Sequence, residues 1–169
     1  GAKVGTGSPR RLEQLTLINE HLDVKGIRGN IATRIKKLEE GKYDAIVLAR
    51  AGLELLGLEK MITHTFDFDH MLPAVGQGVI AIQTRTMSPY TALIRQINHL
   101  DTFYCVLAER TALKFLDGDC HSAVGILAQV TGDCITLKAI NYNNMKDCTV
   151  TGKILDYKQI GEQVGLAIK

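Results

Sequence analysis

No apolar run in this chain approaches the roughly 18 residues that a membrane-spanning helix needs, so a membrane partner is not expected. Proline occurs only three times, while 46% of residues are hydrophobic and 22% charged; that balance excludes a disordered or low-complexity chain. There is no basic tract or tail. Lys and Arg total 20 against 18 Asp and Glu, a net charge of +2, which gives nucleic acid little support as a partner. The four cysteines, Cys105, Cys120, Cys134 and Cys148, form no CxxC pair, and their gaps of about 14 residues match no usual zinc spacing. Neither the phosphate-loop pattern GxxxxGK[ST] nor the dinucleotide fingerprint GxGxxG occurs. The opening GAKVGTGSPRR is neither a signal nor a transit peptide; it starts directly on a strand-like segment and a turn, as though the chain began inside something larger.

The 169 residues suit one sizeable domain or two small ones. A chain this long and apolar needs no disulfide framework. Reduced thiols and an intracellular compartment follow, cytoplasmic or, in some organisms, plastid. Cys105, Cys134 and Cys148 read as small buried hydrophobes.

The first third alternates strand and helix. Lys3 to Thr6 is extended, Gly5, Gly7 and Pro9 turn, and Arg10 to Glu20 is predicted helical, with Ser8 as N-cap and Leu12, Leu15 and Ile18 on its apolar side. Val24 to Ile27 is a second strand. Gly29-Asn30 turns it into a helix over Ile31 to Glu40, stopped by Gly41. Asp44 to Ala49 is a continuous apolar strand of the kind found in parallel sheets, followed by a short helix over Ala51 to Leu56. This order makes half of a doubly wound α/β domain. Thr63 to Leu72 has no clear period and reads as a crossover. Val79 to Gln83 is predicted as a strand, and Ser88 to His99 as a helix burying Leu93 and Ile97. A long helix then runs to about Leu116. Three strands follow, Val124–Val130, Ile135–Ile140 and Cys148–Ile154, the first two joined by the hairpin signal Thr131-Gly132-Asp133. A helix over Tyr157 to Ile168 buries Ile160, Val164 and Ile168 and closes an α+β unit.

The chemistry concentrates on two glycine turns. In GTGSPRR a sharp turn leads into a helix N-terminus, where free N–H groups and the helix dipole favour an anion. Arg10 and Arg11 stand there against the dipole, so they are poor helix stabilisers and good anion ligands. IRGNIATR repeats the arrangement with Arg28, Thr33 and Arg34. Both turns fall at the C-terminal ends of strands, where open α/β sheets place their ligands. Four guanidinium forks suit several carboxylates. An organic polyanion is the first reading; phosphate and ordinary solvated arginines are the alternatives.

GTGSPRR, IRGNIATR, DAIVLARAGLELLGL, LPAVGQGVIAIQTR and AERTALKFLDGDC follow one another in one order at close spacing. Together they resemble porphobilinogen deaminase, also called hydroxymethylbilane synthase. Members of that family have three domains. The first two are built like the lobes of a periplasmic binding protein, and the third carries a cysteine joined to a dipyrromethane cofactor. They condense four porphobilinogen units head to tail with release of ammonia, a transferase reaction of tetrapyrrole and heme biosynthesis. The resemblance implies a partial periplasmic-binding-protein-like doubly wound lobe at 1–72, the second domain. It reads 73–98 as a strand and helix returning to the first domain. It reads 99–169 as a small α+β cofactor-attachment domain with a three-stranded antiparallel sheet.

By that resemblance Cys120 is the attachment cysteine, and Arg10, Arg11, Arg28 and Arg34 hold pyrrole acetates and propionates, with Thr6, Ser8 and Thr33 as hydroxyl donors. Arg85 and Arg110 lie in matching motifs as weaker candidates. The residues themselves leave Cys120, followed by His121, open as a nucleophile, a ligand or an attachment point. Two departures stand out: Asp119 replaces a usual glycine, and Leu55 stands where an arginine is usual, so that either Arg50 substitutes for it or one carboxylate contact is missing. The catalytic aspartate is expected upstream of Gly1, since Asp44, Asp67 and Asp69 do not match it, and no metal site is expected. The implied partners are porphobilinogen and its oligomers and the missing first domain. The full enzyme is expected to be a monomer, and the exposed remnant of an interdomain surface can promote self-association of this stretch. Alone, the stretch is expected to be inactive, with Cys120 unmodified or poorly modified. A non-catalytic binding module for a small organic polyanion is the rival reading.

Overall fold

The computed structural model describes residues 1–116 and 123–169. Its elements fall into two units. The first comprises Gly1–Leu72 together with Asn141–Met145 and the start of the fourth strand; the second takes the chain from Pro73 through the fifth helix, then Ile126–Ile140 and Lys146–Lys169.

In the first unit a parallel sheet of order β2-β1-β3 is built from β1 (Lys3–Gly5), β2 (Asp23–Lys25) and β3 (Ala45–Ile46). Val4 pairs with Val24 on one side and with Ala45 on the other. The strands are shorter than the apolar pattern predicts, although the Val47 N–H still reaches the Gly5 carbonyl at 3.0 Å. Helix α1 (Pro9–Ile18) starts as its sequence requires: Ser8 Oγ accepts the Arg11 N–H, and Pro9 occupies the first turn. Helix α2 (Ile31–Glu39) is capped by Asn30, whose Oδ1 accepts the Thr33 N–H at 2.9 Å. A short α3 (Arg50–Glu54) ends ahead of Gly57, which takes a positive φ of 67°. Val4, Leu15, Ile27, Ile35, Leu53 and Leu72 supply the apolar core. The predicted apolar side of α1 is corrected: its buried residues are Arg10, Gln14 and Leu15, while Leu12 and Ile18 are exposed.

The second unit contains α4 (Thr91–Arg95), α5 (Leu100–Lys114), α6 (Tyr157–Ala167) and an antiparallel sheet of order β4-β5-β6. Its strands are β4 (Val124–Thr131), β5 (Cys134–Asn141) and β6 (Lys146–Lys153). Burial alternates along β5, with Ile135, Leu137 and Ala139 fully covered, as expected of a sheet with one packed and one wet face. Ile160, Val164 and Ile168 are buried as predicted. α5 and α6 approach backbone to side chain: a Cβ on Gly165 would lie 2.6 Å from the Ala112 carbonyl oxygen, and one on Gly161 2.7 Å from that of Ala108.

Three expectations are overturned in this unit. No strand forms over 79–83, where Ile80 is 85% exposed. A strand exists only through ladder bonds to a neighbour, and none of the described strands pairs with it. The helix predicted from Ser88 is only Thr91–Arg95, and Leu93 and Ile97 lie exposed, covered by none of the described residues. Cys134 is exposed at a strand start, and Cys105 and Cys148 are only partly covered.

Candidate anion-binding site

The order β2-β1-β3 means that the chain leaves β1 in one direction to form β2 and returns past it to form β3. Such a reversal opens a crevice beyond the carboxyl ends of the strands. GTGSPRR follows β1 and IRGN follows β2, so both arginine turns stand at that edge. The turns are tight. Thr6 N–H bonds the Lys25 carbonyl at 2.9 Å, and a Cβ on Gly7 would lie 2.9 Å from the Ile27 carbonyl oxygen, so only glycine lets the first turn lie against the second. Gly29 has φ 118°, a left-handed value, and Thr33 fills the space its side chain would take.

The four arginines are placed differently. Arg11 is half-buried, and its Nη1 donates to the carbonyl of Val47, just past β3, at 3.0 Å, so it spans the crevice. Burial lowers its pKa, and the neighbouring Arg34 lowers it further. Arg34 Nε donates to the Gly29 carbonyl at 2.7 Å, which ties it to the second turn. Arg28 is exposed; Lys37 Nζ donates to its carbonyl at 3.0 Å and Tyr43 Oη to that of Gly26 at 2.8 Å, which fixes the loop that carries it. Arg10 is buried, 4% exposed, with Nη1 donating to the Leu72 carbonyl. Its pKa is lowered to about 10 by burial and then by Arg11, partly opposed by Tyr142. Arg34 thus acts electrostatically on Arg11, and Arg11 in turn on Arg10. A bound polyanion would relieve that crowding.

The hydroxyls shape the turns. Thr6 is buried and its Oγ1 accepts the Ser8 N–H at 3.3 Å. Ser8 caps α1, and Thr33 Oγ1 donates to Asn30 Oδ1 at 2.9 Å. Leu55 is 84% exposed, and Arg50 Nε is engaged by Glu54 at 2.6 Å. Arg85 and Arg110 are exposed residues of the second unit. Cys120, Asp119 and His121 lie outside the described residues. No cluster of metal-ligating side chains occurs among the described residues, and no described helix is long and apolar enough to cross a membrane.

Three contributors were not foreseen. Gln14 and Lys37 are polar residues one or two helical turns after an arginine, the only cue the sequence offers. Tyr142 belongs to the first unit and lies beside Arg10; burial raises its pKa to about 12, against the pull of Arg10. Nothing local in the sequence could have joined it to a residue 132 positions earlier.

Glycine turns that carry arginines at the carboxyl ends of β1 and β2 give this α/β unit a cationic edge. The chain belongs to the porphobilinogen deaminase family. The family model described as "Porphobilinogen deaminase, dipyromethane cofactor binding domain" matches residues 1–92, and the one described as "Porphobilinogen deaminase, C-terminal domain" matches residues 103–169. A porphobilinogen deaminase of Clostridium botulinum is 39% identical over 168 residues, 99% of this chain and 57% of the relative. One from Acidithiobacillus ferrooxidans is 48% identical over 141 residues, 83% of this chain and 46% of the relative. The chain therefore spans about half the length of the curated relatives it matches.

Proposed function

We propose that this chain is the arginine lobe and cofactor-attachment part of a hydroxymethylbilane synthase, which condenses four porphobilinogen units with release of ammonia and frees a linear tetrapyrrole with water. The observation that carries this reading is the pair of glycine turns at the ends of β1 and β2, which bring together Arg11, held on the Val47 carbonyl, and Arg34, held on the Gly29 carbonyl, closely enough for Arg34 to lower the Arg11 pKa. Two crowded, partly desolvated guanidinium groups favour a ligand bearing several carboxylates.

In this reading Arg11, Arg34 and the exposed Arg28 hold acetate and propionate groups of the pyrroles. Arg10 completes the cationic pair from its buried seat. Ser8 and Thr6 offer their hydroxyl hydrogens, and Thr33 acts through the Asn30 cap. These groups fit a dipyrromethane, whose several carboxylates need such donors. Bound through Cys120, that group would supply the terminal pyrrole to which the first unit is joined. The protein's residues orient the chain of carboxylates and neutralise it. Residues 1–72 serve as a periplasmic-binding-protein-like second domain, 73–98 as the segment that returns to the first domain, and 99–169 as the attachment domain. The exposed Ile80, Ile82, Leu93 and Ile97 support a covering polypeptide over 73–98. A cytoplasmic compartment and porphobilinogen oligomers as partners belong to the same reading.

By itself this stretch is expected to give no hydroxymethylbilane, because none of its described aspartates is built into the arginine site. Incubation with porphobilinogen, followed by assay for the tetrapyrrole and by intact-mass measurement, tests this. The bare polypeptide mass and no product are expected. A dipyrromethane mass on Cys120 or sustained turnover would overturn the prediction for the isolated stretch.

A further inference from the structure

Gln14 is buried to the same degree as Arg10, 4% exposed, one turn further along α1. Its side chain makes three hydrogen bonds. Nε2 donates to the Arg10 carbonyl at 3.2 Å and to the Leu72 carbonyl at 3.1 Å, and Oε1 accepts the Leu72 N–H at 2.6 Å. Arg10 Nη1 donates to the same Leu72 carbonyl. A carbonyl oxygen has two lone pairs, so Gln14 and Arg10 together saturate it. Leu72 is itself 2% exposed, which shuts water out of this arrangement.

We propose that Gln14 is a positioning residue for the anion site. By gripping both polar groups of Leu72, it fixes the carbonyl on which the Arg10 guanidinium rests, and so sets how the Arg10–Arg11 pair presents its charge. The inference rests on the reading of the arginine turns as an anion site. An ordinary core glutamine would only need its own polar atoms satisfied. Gln14 does more, because it shares its acceptor with the arginine. A methionine at this position keeps the volume but leaves the Leu72 N–H without an acceptor and Arg10 alone on the carbonyl. A glutamate keeps the acceptor for that N–H but sets a carboxylate near Arg10, which draws the guanidinium off the carbonyl.

The test follows the Arg10 guanidinium resonances in the ¹⁵N-labelled chain and its affinity for porphobilinogen by calorimetry. Gln14→Met and Gln14→Glu are compared with the wild type, and Ile35→Val serves as a core control in α2. Gln14→Met should shift the Arg10 resonances, speed their exchange with water and weaken porphobilinogen binding by about tenfold, the scale of losing one hydrogen bond to a charged group. Ile35→Val should do neither at a temperature where it is folded. Unchanged Arg10 resonances or unchanged affinity in a folded Gln14→Met variant would overturn the proposal. If that variant does not fold, Gln14→Glu is expected to move the Arg10 resonances, and their constancy would be equally fatal. If the wild-type chain fails to bind porphobilinogen, the anion-site reading fails, and the Arg10 resonances alone then decide whether Gln14 positions the guanidinium.

Discussion

Gly7 and Gly29 serve the arginine turns for different reasons, and their substitutions should differ accordingly. At Gly7 the obstacle is the Ile27 carbonyl, 2.9 Å from where a Cβ would sit. Gly7→Ala should therefore force the two turns apart, costing about 1–3 kcal/mol as overpacking does and weakening anion binding with it. At Gly29 the obstacle is a φ of 118° as well as Thr33. Gly29→Ala should cost more than about 1 kcal/mol, read by urea denaturation. The thiols make a second prediction. Burial, then Glu109 and Asp101, push Cys105 up to about 11, whereas Cys134 is exposed. Iodoacetamide at pH 8 should label Cys134 well before Cys105, as peptide mass mapping would reveal; equal rates would contradict the burial of Cys105. Ser8, Pro9 and the glycine turns were legible in the sequence because capping and turn chemistry are local. The burial of Arg10 and Gln14 was not. It depends on Leu72, 58 residues beyond Gln14, and a charged residue on a helix ordinarily reads as solvated.

Among the elements, α5 and α6 owe their close approach to small residues. Gly165→Ala would place a methyl 2.6 Å from the Ala112 carbonyl and 2.9 Å from Phe115 Cβ. It should lower stability by about 1–3 kcal/mol while leaving the arginine lobe's amide shifts unchanged. Glu109 of α5 is buried and holds two segments, accepting the Gly76 N–H at 2.7 Å and the Ala128 N–H at 2.9 Å. Burial raises its pKa above 4.5, and the two N–H bonds only partly oppose this. The folded chain thus binds this proton more tightly than the unfolded one. The stabilisation is full below the ordinary glutamate value and is lost as pH rises through the higher folded value. Relative to Glu109→Gln, the wild type should lose stability across that window as pH rises; a constant difference between the two would contradict it. Hairpin, helix and strand order in this unit were legible from alternation and from Thr131-Gly132-Asp133. The segment around Val79 to Gln83 was misread because its β-type composition describes a strand in a sheet, and the sheet it would join is not among the described strands.

At the scale of the whole molecule, family membership spans both halves of the chain, which covers 57% of the Clostridium botulinum relative. Five motifs in one order made the family legible. Cys120, the proposed tether, lies outside the described residues, so the reading rests on the arginine turns. Arg11→Ala and Arg34→Ala should each weaken a carboxylated pyrrole by about 1.5–3 kcal/mol, the worth of a hydrogen bond to a charged group. The most direct measurement is amide and guanidinium shift mapping of the chain titrated with porphobilinogen. Saturable shifts centred on Gly5 to Arg11 and on Arg28 to Arg34 are predicted. Shifts confined to α5, α6 and their sheet, or none at millimolar ligand, would contradict the assignment of these turns to the pyrrole carboxylates.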